Sequence, residues 1–390
     1  MNVFRLALAV EKWSAGQEPI SVQASLCLNA KDKSSACSLC VESCPTEAIT
    51  LEQGVQLQSD ACIRCGLCLH RCPTGVFEGD GGAHKLLRCV SQIVDHESVE
   101  IACKHHSAPA SGSHKVDAVV TTNGCLTMLS LAAYLGLYGL GVKQVVVRLD
   151  ACADCPLGAL CPQIEETLET VSRLLPPKTA LIVDAEAPEK KAKSRPIYAV
   201  SNPPVSRRGL LRMMALQGTS STDELLAEFA AEDAEAPGLP AERRRLLASL
   251  RHSLPAGAEV SLPEDAFTRL VASDACTACG LCARVCPTGT LQLAEADGYF
   301  ELSFCAAECL NCGLCINLCE AGALERSGMP SLAEVLEGEV TLLRSGTLKR
   351  CRKCNATFQG EGEFCPTCAF RKKRPFGFVR NPREFLASGR

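Results

Sequence analysis

Cysteine is the residue with the most chemistry to offer in this chain, and it comes in ordered runs. There are 27 of them, an odd number that internal disulfides cannot exhaust. One run reads Cys62-Ile-Arg-Cys65-Gly-Leu-Cys68-Leu-His-Arg-Cys72-Pro73, and Cys276-Thr-Ala-Cys279-Gly-Leu-Cys282-Ala-Arg-Val-Cys286-Pro287 repeats it. Three thiolates on such a tight, glycine-containing loop reach three irons of one iron–sulfur cube, while backbone amides donate to the sulfurs. The fourth cysteine, at a helix terminus, can serve a second cube. Each run therefore needs a partner, and each has one. Cys37-x2-Cys40-x3-Cys44-Pro45, with Cys27, accompanies the first; Cys309-x2-Cys312-x2-Cys315-x3-Cys319 accompanies the second. Ordered ligand sets in crossed pairs exceed what tetrahedral zinc requires.

On these motifs the chain resembles bacterial two-cluster ferredoxins, twice over, and hence the polyferredoxin-type subunits of oxidoreductase complexes. The resemblance covers residues 27–77 and 276–324. It implies four 4Fe–4S clusters. Cys27, Cys37, Cys40 and Cys72 would hold the first, and Cys44, Cys62, Cys65 and Cys68 the second. Cys276, Cys279, Cys282 and Cys319 would hold the third, and Cys286, Cys309, Cys312 and Cys315 the fourth. The sequence departs from the pattern in three places. Nine residues separate Cys27 from Cys37 where the family has two, so a looped insertion must bring the thiolate back. Cys319 precedes Glu320 instead of proline. Cys305 is an additional thiol, read as a spare buried or redox-sensitive cysteine.

A different motif closes the chain. Cys351-Arg-Lys-Cys354 and Cys365-Pro-Thr-Cys368 are two C-x2-C knuckles, a spacing suited to tetrahedral zinc in a ribbon. Rubredoxin-like iron is the alternative, but Asn355 and Ala369 stand where rubredoxins usually carry glycine. Few apolar residues surround the knuckles, so the metal should supply most of this module's folding energy.

Seven cysteines remain: Cys89, Cys103, Cys125, Cys152, Cys155, Cys161 and Cys305. Their setting is a strand–helix alternation. Residues 99–103, 116–122, 144–149 and 179–185 are short β-branched runs, with helical segments over 126–138 and 162–175, the pattern of a parallel sheet. Cys103, Cys125, Cys152 and Cys155 each follow a strand, and loops after strands share the ligand-binding edge of such a sheet. The stretch from Val120 to Cys155 is also similar to the iron–sulfur delta subunit of methyl-viologen-reducing hydrogenases. That similarity implies a fifth cluster, with Cys161 as the spare or as fourth ligand in place of Cys103. The competing reading is buried thiols in an ordinary core. His105, His106 and His114 read as a solvated polar loop.

The remaining elements must position these sites. The expected fold class is α+β multidomain: two ferredoxin-like dicluster domains flanking a small parallel α/β domain, with a C-terminal zinc ribbon. The first dicluster domain takes residues 1–82 and the α/β domain 83–190. A partly helical connector takes 191–265, the second dicluster domain 266–330, and a helix, the ribbon and a basic tail 331–390. Leu126 to Val142 is an uncharged run of 17 residues with three glycines, too short for a comfortable membrane span and read as a buried helix plus turn. The N-terminal 17 residues read as a first strand, not a signal peptide, and the mid-chain Ser206–Leu211 twin-arginine stretch reads as a loop, so a cytoplasmic location is expected.

A net charge of −4 and a pI near 6.0 argue against a nucleic-acid partner. No dinucleotide fingerprint, P-loop or Ser–His–Asp arrangement is present. The expectation is an electron-transfer subunit working between a redox enzyme (formate dehydrogenase, hydrogenase, or a flavin or molybdenum oxidoreductase) and a ferredoxin-like or quinone-side acceptor. An assembly or maturation factor for a metalloenzyme, and a thiol/disulfide enzyme using the middle cysteines, are the alternatives.

Overall fold

The computed structural model describes residues 19–32, 35–93, 96–186, 195–204, 221–230, 238–255 and 257–373. The expected N-terminal strand, the twin-arginine stretch and most of the basic tail lie outside them. The chain divides into two compact units. One comprises residues 1–268, 306–312 and 329–339; the other comprises 269–305, 313–328 and 340–390.

The core of the first unit is a five-stranded, all-parallel sheet. Its strands are β1 (Ser98–Ala102), β2 (Ala118–Thr121), β3 (Gln144–Arg148), β4 (Ala180–Asp184) and β5 (Ile197–Ala199), in the order β4-β3-β1-β2-β5. The central runs are near-continuous in valine, isoleucine and alanine because both faces are covered. Val99, Ile101, Val119, Val120, Val145, Val146 and Val147 are fully buried. Four strands match the sequence expectation. The fifth, Ile197–Ala199, falls in the stretch read as connector; it is a three-residue edge strand with a half-exposed sequence and no periodicity to betray it.

Five helices pack with this sheet and its loops: α1 (Ala83–Ser91), α2 (Leu131–Gly139), α3 (Cys161–Arg173), α4 (Ser221–Ala230) and α5 (Ala241–Ser253). Helix α2 is the apolar run of the sequence, and it is a core helix, buried from Ala132 to Tyr138 and N-capped by Ser130, whose hydroxyl accepts from the Ala133 amide at 3.3 Å. Its glycines let neighbours approach. A methyl group on Gly136 would meet Leu87 of α1 at 2.9 Å, and one on Gly139 would meet Leu225 of α4 at 3.0 Å. Ser249 of α5 donates to the Ala132 carbonyl at 2.8 Å, so this helix is core rather than linker. No helix among the described residues is long and apolar enough to cross a membrane.

The parallel sheet encloses a buried ion network. Arg148 on β3 donates to Glu100 on β1 at 2.9 Å, and Arg195 donates to the same carboxylate at 2.8 Å. Arg148 also grips Asp150 in two-pronged fashion, through Nε and Nη2 at 2.7 Å each. Glu100 and Arg148 side chains are completely buried.

The second unit is built on an antiparallel sheet of β6 (Leu291–Ala296), β7 (Tyr299–Cys305) and β8 (Val340–Thr347), in that order. A short antiparallel pair, Leu270–Ala272 with Leu324–Arg326, brackets its cysteine loops.

Candidate metal centres

The three C-x2-C-x2-C loops share one backbone pattern. The residue before the second cysteine and the glycine after it both have positive φ: Arg64 (52°) and Gly66 (77°), Ala278 (54°) and Gly280 (68°), Asn311 (51°) and Gly313 (71°). Two left-handed residues flanking one cysteine curl the chain so that amides point inward. The Arg64 amide donates to Cys62 Sγ at 3.4 Å and the Asn311 amide to Cys309 Sγ at 3.4 Å. Each glycine then N-caps the short helix that carries the third cysteine.

The fourth-cysteine turns are equally regular. Amides four residues on donate to the sulfur: Ala48 to Cys44 at 3.3 Å, Val76 to Cys72 at 3.5 Å and Ala323 to Cys319 at 3.3 Å. Cys319 thus keeps its sulfur-directed amide without the following proline. The hydroxyls of Thr46, Thr74 and Thr288 lie 3.8, 3.6 and 3.6 Å from the sulfurs of Cys44, Cys72 and Cys286. These threonines, two positions after a cysteine, are site residues that sequence reasoning missed; the repeated Cys-Pro-Thr was the available signal. Donors aimed at sulfur suit thiolates bound to a cluster, so the loops fit the group.

The loops gather in the crossed sense. The Cys37 and Cys40 thiols are in electrostatic reach of Cys72 and Cys27, whereas Cys62, Cys65 and Cys68 have Cys44 as their neighbour from the other run. Cys276 and Cys282 gather with Cys279 and Cys319. The long Cys27–Cys37 spacing is closed by Asn29. Its side chain donates to the Cys37 carbonyl at 2.7 Å and accepts from the Cys37 amide at 3.1 Å. Of the remaining set, Cys309 and Cys312 belong to the first unit and Cys286 and Cys315 to the second. Arg243 fixes the backbone just before Cys309, donating to the carbonyls of Ala307 and Ala266 at 2.8 Å each and of Ala306 at 3.1 Å, with its guanidinium 3.9 Å from the Phe267 ring centre.

Burial pushes three of these thiols up strongly, Cys40 and Cys282 to about 11 and Cys65 to about 12. Without metal, Cys40, Cys65 and Cys282 are therefore neutral at ordinary pH, and loading them must release protons.

Two stretches of the chain, residues 35–76 and 275–323, match the family model described as the 4Fe-4S dicluster domain. The chain carries two dicluster domains. Their presence, with the cysteine content, supports an iron–sulfur electron-transfer role. A comparison with curated proteins found no match to the chain.

One glycine of the first dicluster domain tests how tightly its loop is held. Gly66 combines its positive φ with a neighbour: an added Cβ would stand 2.7 Å from Met128 Cβ. Gly66→Ala is expected to cost about 1–3 kcal/mol and to lower iron content after mild heating, read by iron assay against the wild type.

The C-terminal knuckles form a different kind of site. The sulfurs of Cys351, Cys354, Cys365 and Cys368 lie within 4.8 Å of one another, with Cys354 and Cys365 only 3.6 Å apart. Tetrahedral bonds of about 2.3 Å to one ion place sulfurs about 3.8 Å apart. The set fits a single ion, zinc or iron, not a cube. The Cys365 amide donates to Cys351 Sγ at 3.2 Å, and Asn355 takes the left-handed turn (φ 60°) that glycine otherwise fills. Beyond the cysteines, Phe358 and Phe364 supply the apolar packing of this module. A strong chelator is therefore expected to unfold residues 349–373 while leaving the iron–sulfur absorption intact, a separation visible by limited proteolysis of the chelated protein.

The middle cysteines resolve into two groups. Cys89 is completely buried in α1, and its thiol is pushed up to about 11 by burial alone, the behaviour of a core residue. Cys305 ends β7, buried, its backbone paired with the Thr290 hydroxyl on both sides. Cys103, Cys125, Cys152 and Cys155 instead follow β1, β2 and β3 at one edge of the parallel sheet.

The histidine expectation needs correction. His106 is buried, not solvated. Its Nδ1 accepts from the Ala108 amide at 3.1 Å, which leaves Nε2–H to donate to Asp150 at 3.0 Å. His114 bonds to Asp184 at 2.9 Å. The sequence could not show that Arg148 and Asp150 need these partners. Burial opposes the charge on Asp150, yet the bonds from Arg148 and His106 hold its carboxyl below the usual range.

Proposed function

We propose that this chain is a relay subunit, passing single electrons through four 4Fe–4S clusters within a larger oxidoreductase complex. The observation that supports the reading is the crossed gathering of cysteines in the first dicluster domain, where Cys72 neighbours Cys37 and Cys40 and Cys44 neighbours Cys62, Cys65 and Cys68. Two clusters held by shared runs must lie close together, as one-electron transfer requires. When bound, the clusters supply the redox capacity. The chain's own residues fix the thiolates, direct amides and threonine hydroxyls at them, and exclude water from Cys40, Cys65 and Cys68. A fifth cluster, on the thiols at the parallel-sheet edge, extends the relay. Zinc in the ribbon completes the metal content and gives a rigid knuckle for docking on a partner.

The location proposed is the cytoplasm, and the partners are a catalytic subunit of the formate dehydrogenase, hydrogenase, or flavin or molybdenum class and a ferredoxin-like or quinone-side acceptor. The net charge of −4 and the dense redox content favour this over a nucleic-acid role. Anaerobic isolation with bound partners tests it. A co-purifying redox enzyme that reduces the clusters reversibly supports the reading; a chain that captures only the metal-free form of a client enzyme would identify a maturation factor instead.

A further inference from the structure

The thiols at the parallel-sheet edge do not stand apart from the first dicluster domain. Cys125 and Cys155 pack with Ile63, Cys65, Leu67, Leu157 and Leu160 in one apolar patch. Cys65 and Leu67 belong to the cube-binding loop, and Leu157 and Leu160 follow Cys155 in the turn that leads to α3. The two loops are also stitched by hydrogen bonds. The Thr127 hydroxyl donates to the Cys65 carbonyl at 3.0 Å, and the Thr127 carbonyl accepts from the ring of His70 at 2.8 Å. The Gly66–Met128 contact closes the seam.

The edge itself gathers thiols. The Cys125 sulfur is in electrostatic reach of Cys103, Cys152, Cys155 and Cys65. The Leu157 amide donates to Cys155 Sγ at 3.4 Å, the same sulfur-directed amide found in the cube loops. The turn from Cys152 to Gly158 is so tight that a Cβ on Gly158 would stand 2.3 Å from the Cys152 carbonyl oxygen. Cys161, at the start of α3, has its sulfur 3.9 Å from Glu165 and also in hydrogen-bonding reach of the Cys152 thiol, so it belongs to the same group.

We infer that Cys125, Cys152 and Cys155, with Cys103 or Cys161 as the fourth ligand, hold an iron–sulfur site that exchanges electrons directly with the cube on Cys44, Cys62, Cys65 and Cys68, across the Cys125–Cys65 contact. The inference rests on the relay function proposed for the chain. It makes the sheet edge one terminus of the relay, with the Cys44 cube as its internal partner. In each exchange one electron leaves one site and enters the other. No protein bond breaks and no proton moves. The electron originates in the redox enzyme proposed as partner, or in dithionite in the test. Tunnelling falls off exponentially with distance, so a dry, packed contact between ligand-bearing loops is the arrangement that favours it.

The test uses the full chain, reconstituted anaerobically and reduced stepwise with dithionite, with iron content and electron paramagnetic resonance both read. In the wild type, one cube signal is expected to be broadened by spin coupling to the edge site. Cys125→Ala and, separately, Cys155→Ser should each lose the irons of one cluster and sharpen that cube signal, leaving the other cubes unchanged. Thr127→Val should keep full iron while weakening the coupling. Loss of iron with no change in any cube spectrum, or with a change in a different cube, would overturn the direct contact but not the relay. Unchanged iron in both cysteine variants would remove the fifth site, and this inference with it, while the four cubes would stand.

Discussion

Replacing Glu100 by leucine is expected to destabilise the parallel-sheet unit by about 3–5 kcal/mol, among the largest effects of any single substitution in the chain. The reason is electrostatic rather than steric. Glu100 is shared between Arg148 and Arg195, and all three side chains are at least nine-tenths buried. Removing the anion leaves guanidinium charge in a dry interior, where its desolvation is no longer offset. Arg148 would keep Asp150, so the loss falls mainly on Arg195 and on the loop it holds through the Pro109 carbonyl at 3.1 Å. Urea unfolding under anaerobic conditions reads the effect as a lowered midpoint. A combined Glu100→Leu, Arg195→Met variant should recover much of the loss, since replacing a buried ion pair with apolar groups is often near neutral. The network also ties the Cys103 loop to the Cys152 turn, because the His106 amide donates to the Cys103 carbonyl at 3.0 Å while its ring holds Asp150. Glu100→Leu should accordingly loosen the sheet-edge thiols before the cubes.

The second large effect concerns which cluster a given cysteine serves. Cys44 lies in the first run, beside Cys37 and Cys40, yet its thiol gathers with Cys62, Cys65 and Cys68. Cys44→Ala is therefore expected to empty the cube of the Cys62–Cys68 loop, with the loss of four irons or its decay to a three-iron form. The set of Cys27, Cys37, Cys40 and Cys72 should be spared. Cys72→Ala should do the reverse, although Cys72 sits four residues after Cys68. Iron assay with electron paramagnetic resonance of the two variants distinguishes the crossed arrangement from a local one. If each substitution emptied the cube of its own run, the crossing would be wrong.

The cube motifs were legible in sequence because their chemistry fixes spacing: a loop must present three sulfurs to one cube within seven residues. The central strands were legible because a sheet covered on both faces demands continuous β-branched runs such as Val145–Val147. The C-terminal knuckles were legible for the same reason as the cube motifs. What escaped were features that depend on partners far apart in the chain. Asn29 closes the Cys27 insertion only because Cys37 returns to it. His106 is buried only because Asp150, 44 residues away, is presented by Arg148. The edge strand Ile197–Ala199 pairs with β2 through backbone groups, which any sequence can supply. The contact of Cys65 with Cys125 joins two segments whose motifs, read singly, gave no reason to meet.

The relay reading stands or falls on metal content and redox behaviour measured together. The decisive measurement is a coulometric titration of the anaerobically reconstituted full chain, with iron and zinc assayed on the same sample. Four cubes require at least sixteen irons per chain and the C-terminal knuckles one zinc, with each cube taking up and returning one electron. Fewer than sixteen irons, or clusters that neither accept nor return electrons, would contradict it.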